Sequence, residues 1–413
     1  MSDLRFLRQQ LSNGLVIIGE QNPRAQTVAA GYFVRTGARD EPQGLAGVSH
    51  FLEHMMFKGT TRRSAEDINR EFDEIGARYN AYTSEERTVY YGAVLPLWSE
   101  RLIDLLTDMM RPALRVDDFE LEKKVVLEEI AMYRDRPHFR VLEEGNRLFF
   151  NSHPLGNAVL GSVETIAALE RQQMLEYFID HYAPDNILLV LAGAFDWQVT
   201  LRQVETLTAE WQPRETTRTY PPFIPRDGRA VLEDSEVARA HIALYAPGVA
   251  AQDDARYAAA ILASCIGDDR GSRLFWSLID KGFADAASFS HDGSDHLGAY
   301  IGYISTSPDQ VEAILETVND VFSSVQREGV TPDEWRRAQR KLATALTLRG
   351  ETPFGRLMSL GVGYQYTERY RGVAEVIEAI HDAALEDGLE LLASQPFTRL
   401  FTVILTPEAL SSL

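Results

Sequence analysis

His50-Phe51-Leu52-Glu53-His54 places two imidazoles and one carboxylate within five residues. On a helix of 3.6 residues per turn, His50 and His54 lie one above the other and Glu53 flanks them. Two imidazoles can hold a zinc ion, and an adjacent carboxylate can move a proton; the order reverses the His-Glu-x-x-His zinc array. A reactive zinc takes three protein ligands and keeps a fourth position for water, so another donor must come from elsewhere. Taken alone, the five residues read more readily as hydrogen-bonded core histidines with Glu53 paired to an arginine. The elements around them decide between the two.

The first of these elements is the helix itself. Gly44 and Gly47 precede the apolar set Val48, Phe51, Leu52 and Met55, and Lys58-Gly59 closes it with a cation and a permissive glycine. Such a helix is expected to be buried, and buried charged groups need partners. A second helix is expected from Asp117 to Ile130, with aspartates at its start and Arg134 to Pro137 ending it. Its periodicity puts Glu122 and Glu129 on one face with Val125, Val126, Met132 and Tyr133, and turns Glu120, Lys123 and Lys124 away. Two carboxylates on an apolar face make Glu129 the expected third ligand and Glu122, two turns earlier, its neighbour behind the ligands. Glu128 is the competing choice, projecting about 100° from that stripe.

These motifs resemble the pitrilysin family of zinc peptidases, the inverzincins, and most of all its half-length bacterial members related to mitochondrial processing peptidase. The resemblance rests on His50-x-x-Glu53-His54 with Glu122 and Glu129 downstream, Phe57-Lys58-Gly59-Thr60, Gly76 followed by Asn80-Ala81-Tyr82-Thr83, His153-Pro154-Leu155-Gly156, and Tyr182-Ala183-Pro184-Asp185-Asn186. It spans nearly the whole chain and is looser in the second half. It implies an α+β fold of the LuxS and mitochondrial-processing-peptidase-like metallohydrolase type. Two related halves per chain would make that fold, with two chains closing as a clamshell around a chamber.

Composition is compatible with this. The chain has 413 residues, enough for two domains, and 61 acidic against 41 basic residues give a formal charge of −20. That balance argues against a nucleic-acid surface. Met1 to Arg8 does not resemble a signal peptide, and no apolar run approaches the roughly 20 residues that span a bilayer. No membrane partner is therefore expected. Cys265 is the single cysteine, which excludes an intrachain disulfide and fits a cytoplasmic protein.

Strands are expected at Leu15 to Ile18, Val28 to Val34, Arg78 to Thr83, Val89 to Val94 and Ile187 to Leu191, with a helix from Ser64 to Ile75 opened by a Ser-x-x-Asp cap. Pro213, Pro221, Pro222 and Pro225 crowd a polar stretch. The expected division is a zinc-binding domain over 1–212, a linker over 213–228 and a related metal-free domain over 229–413. In the second half, Val231 to Tyr245 offers strands, Ala255 to Cys265 a helix, Tyr300 to Ser305 a strand, and Asp333-Glu334-Trp335 opens a helix as Asp117-Asp118-Phe119 does. Matching Phe119 to Trp335 puts Ala338 and Ala345 where Glu122 and Glu129 would fall, so one zinc ion per chain is expected, in the first half. His291 and His296, beside Asp292 and Asp295, are expected in an ordinary polar loop.

The implied activity is zinc-dependent endopeptidase hydrolysis of unfolded peptides, with His50, His54 and Glu129 on the metal and Glu53 as general base. The resemblance further implies that Asn80, Ala81, Tyr82 and Thr83 form an edge strand to which a peptide substrate adds. One departure stands out. The family's second half often carries an arginine and a tyrosine that complete substrate binding, and here Ile279 and Asp285 occupy the corresponding positions. A homodimer, or a heterodimer with a related subunit, is the expected source of the missing donors. The retention of both halves favours the homodimer. A weakly active or non-catalytic subunit of a processing complex is the alternative.

Overall fold

The computed structural model describes residues 4–407; Met1, Ser2 and Asp3 of the N-terminal stretch and the last six residues lie outside the described part. Two compact units emerge. One comprises Met1–Ala131, Asn157–Thr219 and Leu348–Arg371, the other Met132–Gly156, Tyr220–Thr347 and Gly372–Leu413.

In the first unit, strands β1 (Arg5–Gln10), β2 (Val16–Gln21), β3 (Val28–Val34), β4 (Arg78–Thr83), β5 (Thr88–Val94) and β6 (Ile187–Gly193) form one sheet in the order β1-β2-β6-β3-β5-β4. Strands β3 and β6 are buried along their whole length. They read as continuous apolar runs because both sheet faces are covered. One cover is the layer containing helices α1 (Val48–Met56), α2 (Ala65–Glu74), α3 (Ser99–Met109) and α4 (Val116–Arg134), whose Phe51, Phe72, Leu106 and Phe119 share a core with Tyr32 and Leu189. The helix Pro353–Thr367 covers the other face, with Leu357 and Leu360 against Phe33, Val89 and Val190. At Gly361 the approach is so close that a Cβ would lie 2.4 Å from the Phe33 ring.

A buried ion pair pins this covering helix. Arg356 Nε donates to Glu20 Oε1 at 2.7 Å, and Tyr370 donates to Glu20 Oε2 at 2.9 Å. Breaking a buried pair leaves an uncompensated charge, so Arg356→Met is expected to destabilise the protein by about 3–5 kcal/mol. Urea denaturation followed by tyrosine and tryptophan fluorescence would measure it. A loss below about 1 kcal/mol, the range of exposed pairs, would show that the pair carries little.

The second unit repeats the scheme with five strands. β7 (Gly228–Glu233), β8 (Ala240–Gly248), β9 (Ala284–Ser294), β10 (Leu297–Thr306) and β11 (Phe401–Thr406) are ordered β7-β11-β8-β10-β9. Helices Arg256–Gly267, Val311–Glu328 and Pro332–Gly350 contribute Ile261, Phe322 and Trp335 to its main core. The opposite face is packed by α5 (Pro137–Phe150), where Phe149 stacks on Tyr245 with ring centroids 5.3 Å apart.

The expected strands and helices are present with shifts of a few residues at their ends. Two expectations need correction. The compact units do not follow the contiguous boundaries 1–212 and 229–413, because α5 completes the second sheet and Pro353–Thr367 the first. No helix or strand occurs between 211 and 227, in keeping with a connecting segment. The region of His291 and His296 is a β-hairpin, not a loop: His291 lies in β9, opposite Tyr300, and its Nε2 is 2.9 Å from the Val249 carbonyl oxygen. Pairing with β10 and burial of Phe289 outweigh the weak strand propensity of its Ser, Asp and Gly residues. No helix among the described residues is long and apolar enough to cross a membrane.

Candidate metal centre

Helix α1 begins at Gly47, whose φ of +91° suits glycine and which has no side chain to cap the helix. The capping group comes from upstream: Glu41 accepts the backbone N–H groups of Gly47 and Ser49, each at 2.8 Å. Val48, Phe51, Leu52, Met55 and Met56 bury the rest of the helix, and Phe51 stacks on Phe119 of α4 at 4.8 Å. That contact fixes α4 against α1 and turns Glu122 and Glu129 towards the histidines.

The imidazoles of His50 and His54 sit one turn apart with ring centroids 4.7 Å from each other. Glu129 Oε2 lies 3.2 Å from His54 Nε2 and 3.6 Å from His50 Nε2. Tetrahedral zinc with bonds of about 2.0–2.1 Å places its donors about 3.3 Å from one another, and both distances from Glu129 to the imidazoles match that spacing, with all three donor atoms within 4.8 Å of one another. Among the described residues it is the one group of three or more His, Cys, Asp or Glu side chains able to hold a metal ion. Glu128 is exposed and outside the group, and Ala338 of the matching helix is buried in an apolar core. The α4 face differs from its expected form in one respect. Glu122 and Glu129 share it with Phe119, Val126 and Ile130, whereas Val125 and Met132 are exposed.

Behind the donors, His54 Nδ1 is 2.9 Å from Glu122 Oε1, and Glu122 Oε2 is 2.5 Å from Lys58 Nζ. An Nδ1–H donated to Glu122 leaves the Nε2 lone pair facing the centre. Lys58 was not expected here. Its position in Phe57-Lys58-Gly59-Thr60 was visible, but its distance to Glu122 depends on the packing of α4. His50 Nδ1, by contrast, is buried without a hydrogen-bond partner among the described residues.

Electrostatics divide the roles. Burial, reinforced by the charge of His54 and opposed by Glu129, lowers the pKa of His50 and keeps its imidazole neutral. Burial also acts to lower His54, but hydrogen bonds to Glu122 and Glu129 outweigh it and raise His54 to about 9 in the absence of metal. Glu122 is held down: burial opposes ionisation, and the bonds from His54 and Lys58 prevail. Glu129 is lowered, chiefly by its hydrogen bond with His54. Glu53 goes the other way. Burial raises its pKa, only partly offset by the hydroxyl of Thr83, which donates to Glu53 Oε2 at 2.7 Å. A carboxylate poised upward in this manner suits proton transfer.

The strand read as Asn80 to Thr83 is the end of β4, the outermost strand of its sheet, and it packs beside α1. Ile279 borders the second unit's core, and Asp285 forms an ion pair with Arg239.

Comparison with known proteins gives the family. The model of Insulinase (Peptidase family M16) matches residues 16–163, and that of the Peptidase M16 inactive domain matches residues 168–342. An uncharacterized zinc protease of Bacillus subtilis is 30% identical over 402 residues, covering 96% of this chain and 97% of its own. Another from Streptomyces coelicolor is 33% identical, covering 85% and 78%. A protease from Helicobacter pylori superposes with a TM-score of 0.91 at 19% identity, over 98% of this chain and 100% of the other. A Pseudomonas fluorescens structure described as a peptidase M16 inactive domain gives 0.88 at 16%, over 99% of each chain. The mixed helix-and-sheet fold with two such domains, and the extent of these matches, show that the chain belongs to the M16 peptidase family, among relatives named as zinc proteases.

Proposed function

We propose that this protein is a zinc-dependent metalloendopeptidase that hydrolyses unfolded peptides, with one zinc ion per chain. The observation that carries the reading is the convergence of His50 Nε2, His54 Nε2 and Glu129 Oε2, with Glu53 on the same helix. Zinc, when bound, supplies Lewis acidity and makes water acidic enough to be deprotonated near neutral pH. Glu53 takes a proton from water at its carboxylate and delivers it to the leaving amine. Glu122 and Lys58 hold the His54 ring in its ligating orientation.

The edge position of β4 supports main-chain pairing of an extended peptide along Asn80, Ala81, Tyr82 and Thr83. The Ala81 N–H is satisfied by Asn80 Oδ1 at 2.9 Å, a bond that a substrate carbonyl can replace. Ile279 and Asp285 bring no hydrogen-bond donor of the arginine or tyrosine kind, and losing one such donor can cost about 100-fold in rate. We therefore assign the active form to a dimer enclosing a chamber. A second copy, or a related subunit, supplies the missing donors.

The test is cleavage of a peptide library and of a stably folded protein by the zinc-loaded chain, across concentration and with a related subunit added. Peptides should be cut, the folded protein spared, and chelation should stop turnover. Absence of peptide cleavage in every arrangement would overturn the proposal. Activation by the second subunit alone would select the heterodimer, and full activity as a monomer would reject the shared chamber.

A further inference from the structure

In a strand, side chains alternate between faces. On β4, Tyr79 stacks on Phe72 at 4.0 Å and Ala81 enters the core formed with the α1 layer, so this face looks towards the zinc helix. Tyr82 points to the opposite face, where it packs beside Val89 and Phe33. The four residues Asn80 to Thr83 are therefore not equivalent. Thr83 shares the face of Tyr79 and Ala81, and its hydroxyl reaches Glu53 at 2.7 Å.

A single hydroxyl positions a carboxylate only if its own backbone is fixed. Thr83 pairs with Thr88 in β5, and the intervening turn is closed by Ser84 N–H to the Arg87 carbonyl at 2.9 Å. The segment Gly37–Arg39 clamps that turn from outside: Ala38 N–H reaches the Ser84 carbonyl at 3.1 Å and Arg39 N–H the Glu85 carbonyl at 2.8 Å. A Cβ on Gly37 would fall 2.2 Å from the Ser84 oxygen, so only glycine permits this contact. Inside the turn, the buried Glu86 carboxylate pairs with Arg39 and accepts from Tyr366 at 2.5 Å, while Arg87 Nε donates to Gln365 at 3.0 Å.

We propose that Thr83 is a positioning residue for the general base: its hydroxyl, fixed by the clamped β4–β5 turn, aims the Glu53 carboxylate rather than holding the substrate. The proposal rests on Glu53 acting as the base. The two roles separate in kinetics, because lost substrate binding raises KM while lost aim lowers kcat.

The test uses zinc-loaded, full-length Thr83→Val, which keeps the shape and removes the hydroxyl, with Thr83→Ser as the rescue, and with wild type and Glu53→Gln measured alongside. Misplaced catalytic groups cost on the order of 100-fold, so kcat for Thr83→Val should fall about 10- to 100-fold with KM within about twofold and zinc content unchanged. Thr83→Ser should recover to within about threefold of wild type. Crystal structures of the zinc-loaded proteins give a readout that needs no turnover. Glu53 should hold one carboxylate orientation in wild type and rotate or split in Thr83→Val. An unmoved Glu53 with unchanged kcat, or a rise in KM alone, would overturn the proposal. An inactive wild type would reject the proposed function instead, and the Glu53 orientation would still decide the role of Thr83.

Discussion

Glu53→Gln is expected to retain one zinc ion per chain and to lose peptide turnover by about 10²- to 10⁴-fold. The amide preserves the shape of the side chain, and its carbonyl oxygen can still accept the Thr83 hydroxyl at the position of Oε2. It cannot take up the proton that a carboxylate accepts. Zinc analysis beside kcat and KM separates this from a folding or metal defect. Turnover within about tenfold of wild type, below the usual range for a positioned base, would remove Glu53 from that role.

The second large effect concerns the metal. His50→Ala combined with His54→Ala is expected to reduce zinc from one ion per chain to none, since one donor of the three remains and zinc sites of this kind require three. Glu122→Gln should act more mildly: its oxygen can still accept from His54, but the charge opposite Lys58 is lost, so affinity should fall about 10- to 100-fold. Elemental analysis after dialysis and competition with a chromophoric chelator would measure both. Zinc persisting in the double variant would place the site elsewhere, and two ions per chain in wild type would overturn the expectation of a single zinc.

The site was legible in the sequence where its geometry is helical. His50 and His54, one turn apart, and Glu122 and Glu129, two turns apart, follow from the period of a single helix, and the structure brings all four together. What periodicity cannot supply is the partner across space. Lys58 meets Glu122 only because Phe51 and Phe119 stack α1 on α4. Thr83 was readable as part of an edge strand, but its contact with Glu53 depends on which face of β4 looks at α1. The helical period sets Val125 and Met132 at the border of the face of Glu122 and Glu129, and the packing of α4 against its neighbours leaves both exposed. The β-hairpin around His291 was hidden by polar residues whose strand conformation comes from cross-strand pairing. The crossing of α5 and Pro353–Thr367 to units formed mainly by the other half was equally hidden. A contiguous reading assigns each helix to its sequence neighbours, whereas an apolar face is satisfied wherever a sheet lacks cover.

The helix Pro353–Thr367 also sets a clock on the birth of the enzyme. All six strands of the first sheet, together with His50, His54, Glu53 and Glu129, have been made once Gly193 is added, but the helix that covers Phe33, Val89 and Val190 begins only at Pro353. At ribosomal speeds the delay is on the order of ten seconds, during which this apolar face waits for its cover. The same late helix brings Gln365 and Tyr366 to the turn that carries Thr83. A nascent chain thus carries His50, His54 and Glu129 long before the turn that bears Thr83 is fully buttressed, and the proposed activity would follow only once Gln365 and Tyr366 have been added.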